Sequence, residues 1–410
     1  MPHLPRAFLH LRWRIVLVLF ITAVCYQQHR FYASRQSLAA KYSPTHFGAT
    51  HRELQSRAKR PDIDDHHFRD HLLSQREHWQ RLGEGWEGKV FSYKDSVIKT
   101  FTPGRSPFRN CAPETEDAGE KWPTEIAASL RFGGHKHNTP GSELTDDDYA
   151  STALHGFLPV KSYFKAAASE GQEEEWHLVT PMLKGGNLKD LAKKVAHNPK
   201  LTKTRDMDAY FRPVFENLLS DIQRLHEANY CHDDIKPNNV FIANRTHWVL
   251  GDLGNLRHVT HPYHSSQLWA DNDQLSDCRA NDVMRLLKTY MQFLKRSTNN
   301  DNAFNDEFMA GKEPFSRLFW MASRDAPVMS ASILRRILMA EYPEQPAKTQ
   351  VDDEISASVK DHASSTWFFK QSRMNKEVRS VIATKIGEKS ARWWGMVGIF
   401  GIPESEVCGF

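Results

Sequence analysis

Cys231-His232-Asp233-Asp234-Ile235-Lys236-Pro237-Asn238-Asn239-Val240, followed by Asp252-Leu253-Gly254, decides the reading of this chain. Two adjacent carboxylates are followed by a lysine, an asparagine and a further carboxylate. Asp234 and Asp252 lie 18 residues apart, which leaves room for a short hairpin. Its strands are predicted over Val240–Ala243 and Trp248–Leu250, with the turn at Asn244-Arg245. Upstream, Leu82-Gly83-Glu84-Gly85-Trp86-Glu87-Gly88-Lys89-Val90 spaces Gly83, Gly85 and Gly88 as Gly-x-Gly-x-x-Gly. Glycines at such positions let a backbone approach a ligand closely. Alone the pattern is weak, because flexible turns reach it by chance. Here two predicted strands follow, Lys89–Tyr93 and Val97–Phe101, around a turn at Lys94-Asp95-Ser96, and the second carries Lys99. A helix is predicted to start at Trp122-Pro123-Thr124-Glu125, with Pro in its first turn. Trp176–Thr180 reads as a strand. Apolar residues at Tyr210, Val214, Leu218, Ile222 and Leu225 mark a core-packed helix just before the quoted stretch.

In this order, the motifs resemble the eukaryotic protein kinases over about Leu82–Tyr342. The resemblance implies an α+β, two-lobed fold, with a small β-rich N-lobe within 63–181 and a larger helical C-lobe over 182–342. It further implies ATP as the nucleotide and Mg2+ as its metal. Gly83, Gly85 and Gly88 would fold over the triphosphate, beside Val90, and Lys99 would hold its α- and β-phosphates. Glu125 would pair with Lys99, with Glu116 and Glu120 as alternatives. Thr180 would be the gatekeeper, Pro181 would offer its carbonyl to the adenine amine, and the Leu183 N–H would donate to the ring. Asp234 would orient a hydroxyl and accept its proton, with Lys236 neutralising phosphoryl charge. Asn239 and Asp252 would supply oxygens to magnesium.

Three departures bear on function. Asp233 fills the position where regulated kinases have an Arg that pairs with a phosphorylated activation segment. A phosphate on Thr260, Ser265 or Ser266 would there meet a like charge. No Ala-Pro-Glu follows the short segment His258–Asp271, although Ala280-Asn281-Asp282-Val283 resembles the helix whose Asp braces the catalytic loop. The Lys99–Glu125 separation is 26 residues, with a Pro/Gly/Arg-rich insertion over 102–120. The first expectation is phosphoryl transfer from ATP to Ser/Thr hydroxyls of an unknown protein substrate. A catalytically silent scaffold and a small-molecule kinase are the alternatives.

Composition agrees and adds limits. The 410 residues carry a net charge of only +4, so no global field for nucleic acid is implied. The charge is uneven: residues 1–60 hold ten Lys/Arg against Glu53 alone. Ile15–Tyr26 is an uninterrupted, mostly apolar run preceded by Arg6, Arg12 and Arg14. As a helix it covers about 18 Å, against about 30 Å of hydrocarbon. It is expected to be a single-pass membrane anchor or signal segment within 1–30, a cleaved signal peptide and an organellar presequence being the competing readings. Residues 31–62 read as a linker, Asp64–Arg81 as an amphipathic helix, and 343–410 as an extension whose Trp-rich tail packs on the C-lobe. The acids and histidines from Asp62 to His71 read as a solvated face rather than a metal site. Cytosolic ATP favours a cytosol-facing domain. Cys25, Cys111, Cys231, Cys278 and Cys408 show no disulfide or metal spacing.

Overall fold

The computed structural model describes residues 6–45, 47, 63–85, 88–102, 123–134, 156–169, 171–197, 201, 203–298, 300–341, 365–384 and 386–396. The protein is α+β, built on a five-stranded antiparallel sheet and many helices. The sheet joins β1 (Gln80–Glu84), β2 (Gly88–Tyr93), β3 (Ser96–Phe101), β4 (Ser162–Ala167) and β5 (Glu174–Pro181) in the order β1-β2-β3-β5-β4. Alternation along β3 gives the sheet two faces. Ile98 joins Leu72, Trp79, Phe164 and Val179 on one of them. Phe101 joins Ile126, Leu130, Val160 and Leu178 on the other. Leu72 belongs to α2 (Ile63–Ser74), and Ile126 and Leu130 to α3 (Thr124–Phe132), so helices cover both faces. Gly88 is fixed by the ladder, since a Cβ there would lie 1.6 Å from the Thr100 carbonyl oxygen.

The helical region is organised by α4 (Leu188–Ala196), α5 (Thr204–Glu227) and α6 (Cys278–Ser297). Asn187 caps α4 by accepting the Asp190 N–H at 3.1 Å, which satisfies an orphan donor of the first turn. The buried stripe of α5, from Phe211 through Val214, Phe215, Leu218, Leu219 and Ile222 to Leu225, has helical spacing and packs with Leu286, Leu287, Tyr290 and Phe293 of α6. After α5 come β6 (Tyr230–Cys231), the hairpin β7 (Val240–Asn244) and β8 (His247–Leu250), and β9 (Arg257–His258), which pairs with β6. The β7–β8 hairpin matches the sequence expectation within a residue. A parallel bridge from Phe157 to Leu250 ties the hairpin to the segment entering the sheet.

The N-terminal expectation is overturned. Among the described residues, no helix is long and apolar enough to cross a membrane, so a single-pass anchor through 15–26 does not stand. The apolar run is too short, and polar residues Gln27, Gln28, His29 and Arg30 continue in the same helix, α1 (Arg6–Lys41). This helix passes unbroken through residue 30, and its last turns pack inward, with Phe31 and Leu38 buried.

Two further readings change. The helix predicted over 64–81 ends at Ser74, and Gln80–Glu84 pair with β2 as a strand instead. Asp62 lies outside the described residues. The cysteines are not all unpaired: Cys231 and Cys278 form a disulfide, with Cα atoms 6.0 Å apart across a sequence separation of 47. Spacing missed it because the fold, not the sequence, brings β6 against the first turn of α6.

Candidate functional site

The site forms where the sheet meets the helical region. Val90, Val97, Lys99, Leu178 and Thr180 line a cleft from the sheet, Glu125 and Ser129 from α3, and Asn239, Phe241, Gly251, Asp252 and Leu253 from below. One end is apolar and the other carries charge. Lys99 sits in β3 opposite Val90 and Leu178, so the pleat that places Val97 and Phe101 on that face also aims Lys99 at α3. Its ammonium makes an ion pair with Glu125 and reaches Asp252 Oδ1 at 3.4 Å. Glu125 is therefore the carboxylate on Lys99, and the long spacing is absorbed before α3. Glu116 and Glu120 lie outside the described residues.

Asp234, Lys236 and Asn239 come together on the loop after β6. Lys236 Nζ lies 2.7 Å from Asp234 Oδ2. Asn239 Nδ2 donates to the Asp234 carbonyl at 3.0 Å and to its Oδ2 at 3.3 Å. Asn239 Oδ1 is thereby turned away from Asp234. Asp252 adopts a left-handed backbone, φ 58°, which is uncommon outside glycine and tolerated by Asp. Desolvation acts to raise the Asp252 carboxyl, but the Lys99 and Lys236 ammonium groups outweigh it and hold it below the usual carboxylate range.

The glycine and hinge positions are placed with less force. Gly83 lies at a register shift between β1 and β2. The Gly85 N–H donates to the Gly88 carbonyl at 2.9 Å, closing the turn. Thr180 is buried on the cleft wall. Pro181 ends β5 opposite Ser96, and Leu183 lies just beyond the strand.

The loop is held from behind. Asp282 of α6 accepts the His232 N–H at 2.6 Å and the Asp233 N–H at 3.0 Å, and His226 Nε2 lies 3.2 Å from it. The Cys231–Cys278 disulfide fixes the same helix to the residue before the loop. His226, Cys231 and Asp282 also converge as potential metal ligands, but the disulfide removes the thiolate that such a site needs.

Asp233 anchors a buried charge cluster that the sequence reading missed. Arg257 Nη1 donates to Asp233 Oδ2 at 3.1 Å, and His264 Nε2 lies 2.9 Å from the same oxygen. Arg285 donates to the Asp233 carbonyl. Arg257 also donates to the Lys41 carbonyl, from Nη2 at 3.1 Å, and stacks over the Tyr263 ring. Burial alone would raise the Asp233 carboxyl, yet His264, Arg257 and Arg285 bring it far below the usual range. Asn255, whose Nδ2 lies 3.5 Å from Asp234 Oδ2, links the two acids' surroundings. A signal was present: Arg257 is the only Lys or Arg between Gly254 and Asp271, and an acid at Asp233 needs such a partner.

Comparison of the chain with protein-family models and with curated proteins finds no match.

Proposed function

We propose that the chain is a kinase-like phosphoryl transferase, with the sheet region as a small N-lobe and the helical region as a C-lobe. The observation that carries this reading is the placement of Lys99, Glu125, Asn239 and Asp252 on one cleft, with Asp234 bonded to Asn239 and Lys236 bonded to Asp234. ATP is the donor; Val90, Val97, Leu178, Thr180 and Phe241 would hold its base, with the Pro181 carbonyl and the Leu183 N–H offered to it. Its phosphates lie toward Lys99, under the turn of Gly83, Gly85 and Gly88.

The Asp252 carboxylate and Asn239 Oδ1 are hard oxygen donors, the type that suits Mg2+. When bound, the ion would neutralise charge on the phosphates. Lys99, steered by Glu125, holds the donor. Asp234 accepts the proton of the incoming Ser/Thr hydroxyl, and Lys236 beside it neutralises charge on the group in transfer. Asn239 fixes the Asp234 side chain. The acceptor is an alcohol of a protein substrate.

The test is Mg-ATP binding and turnover by the full chain, beside Asp234→Asn and Asp252→Asn. Turnover lost in both variants supports the reading. Wild-type protein that neither binds nor hydrolyses Mg-ATP would leave a silent scaffold as the better description.

A further inference from the structure

We propose that Asn244 is an acceptor for an N-linked glycan and that this domain completes its folding in an oxidising compartment. Two independent observations converge. Asn244-Arg245-Thr246 is the only Asn-x-Ser/Thr triplet with x other than Pro in the chain, and it sits at the tip of the β7–β8 hairpin. The Thr246 N–H and hydroxyl both donate to Asn244 Oδ1, at 3.0 and 3.1 Å. Asn244 Nδ2 has no hydrogen-bond partner among the described residues, and Arg245 and Thr246 are exposed. The triplet thus holds the acceptor amide and the hydroxyl that sequon recognition requires side by side at the surface.

The second observation is the Cys231–Cys278 bridge. Protein disulfides persist in oxidising compartments and are rare in a reducing cytosol. Both cysteines are buried, at 0% and 2% exposure, so the bridge is shielded from exchange with thiols in solution. It is part of the structure that positions His232 and Asp282, so the loop requires it in place. N-linked transfer belongs to the same oxidising environment. This replaces the cytosolic placement that the sequence favoured.

Both steps balance with external reactants of stated class. A lipid-pyrophosphate-linked oligosaccharide loses its bond from sugar C1 to the pyrophosphate oxygen. C1 bonds to Asn244 Nδ2, which releases a proton, and the lipid pyrophosphate leaves. The two thiols give up two electrons and two protons to a disulfide-bearing oxidant, which becomes a dithiol. Asn244 lies three residues along the strand from the cleft-lining Phe241, about 10 Å at 3.3 Å per residue.

The experiment expresses the full chain in a eukaryotic host with an intact secretory pathway and treats it with an endoglycosidase. One mobility step is expected, lost in Asn244→Gln and Thr246→Ala and retained in Thr246→Ser. Peptide mass spectrometry after thiol alkylation without reduction should recover Cys231 linked to Cys278. A wild-type chain with unmodified Asn244, a mobility step that survives Asn244→Gln, or alkylated Cys231 and Cys278 would each overturn the proposal.

Discussion

Asp233 and Asp234 are neighbours in sequence and opposites in environment. Asp233 is 4% exposed, ringed by Arg257, His264 and Arg285, and its backbone N–H is taken by Asp282. Asp234 is half-buried, and its carboxylate is held by Lys236 and Asn239. One acid is locked among cations; the other is the residue to which the proposed chemistry assigns a reaction. A buried carboxylate held by several cations is costly to disturb. The change of face between the two residues comes from the left-handed backbone of Asp233, φ 62°. Under the kinase-like reading proposed above, the negative charge that phosphorylation supplies in regulated kinases is carried permanently by Asp233, with the cation, Arg257, on the segment.

The strongest attack on this contrast is at the reactive side. Lys99→Ala, Asp234→Asn and Asp252→Asn are each expected to lower phosphoryl transfer by at least about 10³-fold, with circular dichroism and melting close to wild type. Lys99→Ala and Asp252→Asn should also weaken Mg-ATP binding in calorimetry, while Asp234→Asn should keep it.

The architectural side is tested next. Asp233→Ala leaves Arg257 and His264 facing each other without an anion and is expected to cost about 3–5 kcal/mol in chemical denaturation. Asp233→Asn sharpens the point through pH. The native carboxyl sits below its unfolded value near 3.9, so its contribution is present above that pH and lost as pH falls toward the native value. The Asn variant should therefore show a shallower loss of stability on the acid side than wild type.

A third acid gives the opposite sign. Asp221, beside Gly156, is raised to about 7 by burial, despite the Arg224 guanidinium. Its Oδ2 has no hydrogen-bond partner among the described residues. A raised carboxyl favours the protonated native state, so stability should fall as pH rises from about 4 through about 7. Asp221→Asn is expected to remove that dependence and to melt a few degrees above wild type at pH 8, with little difference at pH 5.

The smallest effect should come from the segment hydroxyls. Alanine at Thr260, Ser265 or Ser266 is expected to change turnover less than about threefold, because Arg257 and His264 already hold the segment without phosphate. Ser266→Ala should still cost about 1 kcal/mol of stability, since its hydroxyl caps the helix beginning at Gln267. A large rise in turnover on phosphorylating any of the three would break the comparison.

Much of the site was legible because its spacing is local. The stretch around Asp234, the hairpin to Asp252 and the strand carrying Lys99 follow from turn residues and alternation within short windows. Glu125 could be narrowed but not fixed, since the path from β3 to α3 is not encoded by periodicity. The Asp233 cluster was signalled only by the lone Arg257, because its partners come from two segments, and only packing brings Arg257, His264 and Arg285 to one residue. The apolar run misled for a related reason. Hydropathy marks Ile15–Tyr26 as unusual, but whether a helix of that length continues into polar, packed turns is decided by residues beyond it, such as Phe31 and Leu38.

The clasp between the two ends of the chain bears on how the protein is made. Tyr42 donates to Glu388 Oε2 at 3.0 Å across 346 residues, Lys41 pairs with Glu388, and the last described helix, Lys389–Met396, lies along α1. Arg257 meanwhile rests on the Lys41 carbonyl. Contacts of such long range close late, and during synthesis this one must wait until Glu388 has emerged. The packing of α1 against that helix is therefore late to assemble, and a chain interrupted before Glu388 would lack it.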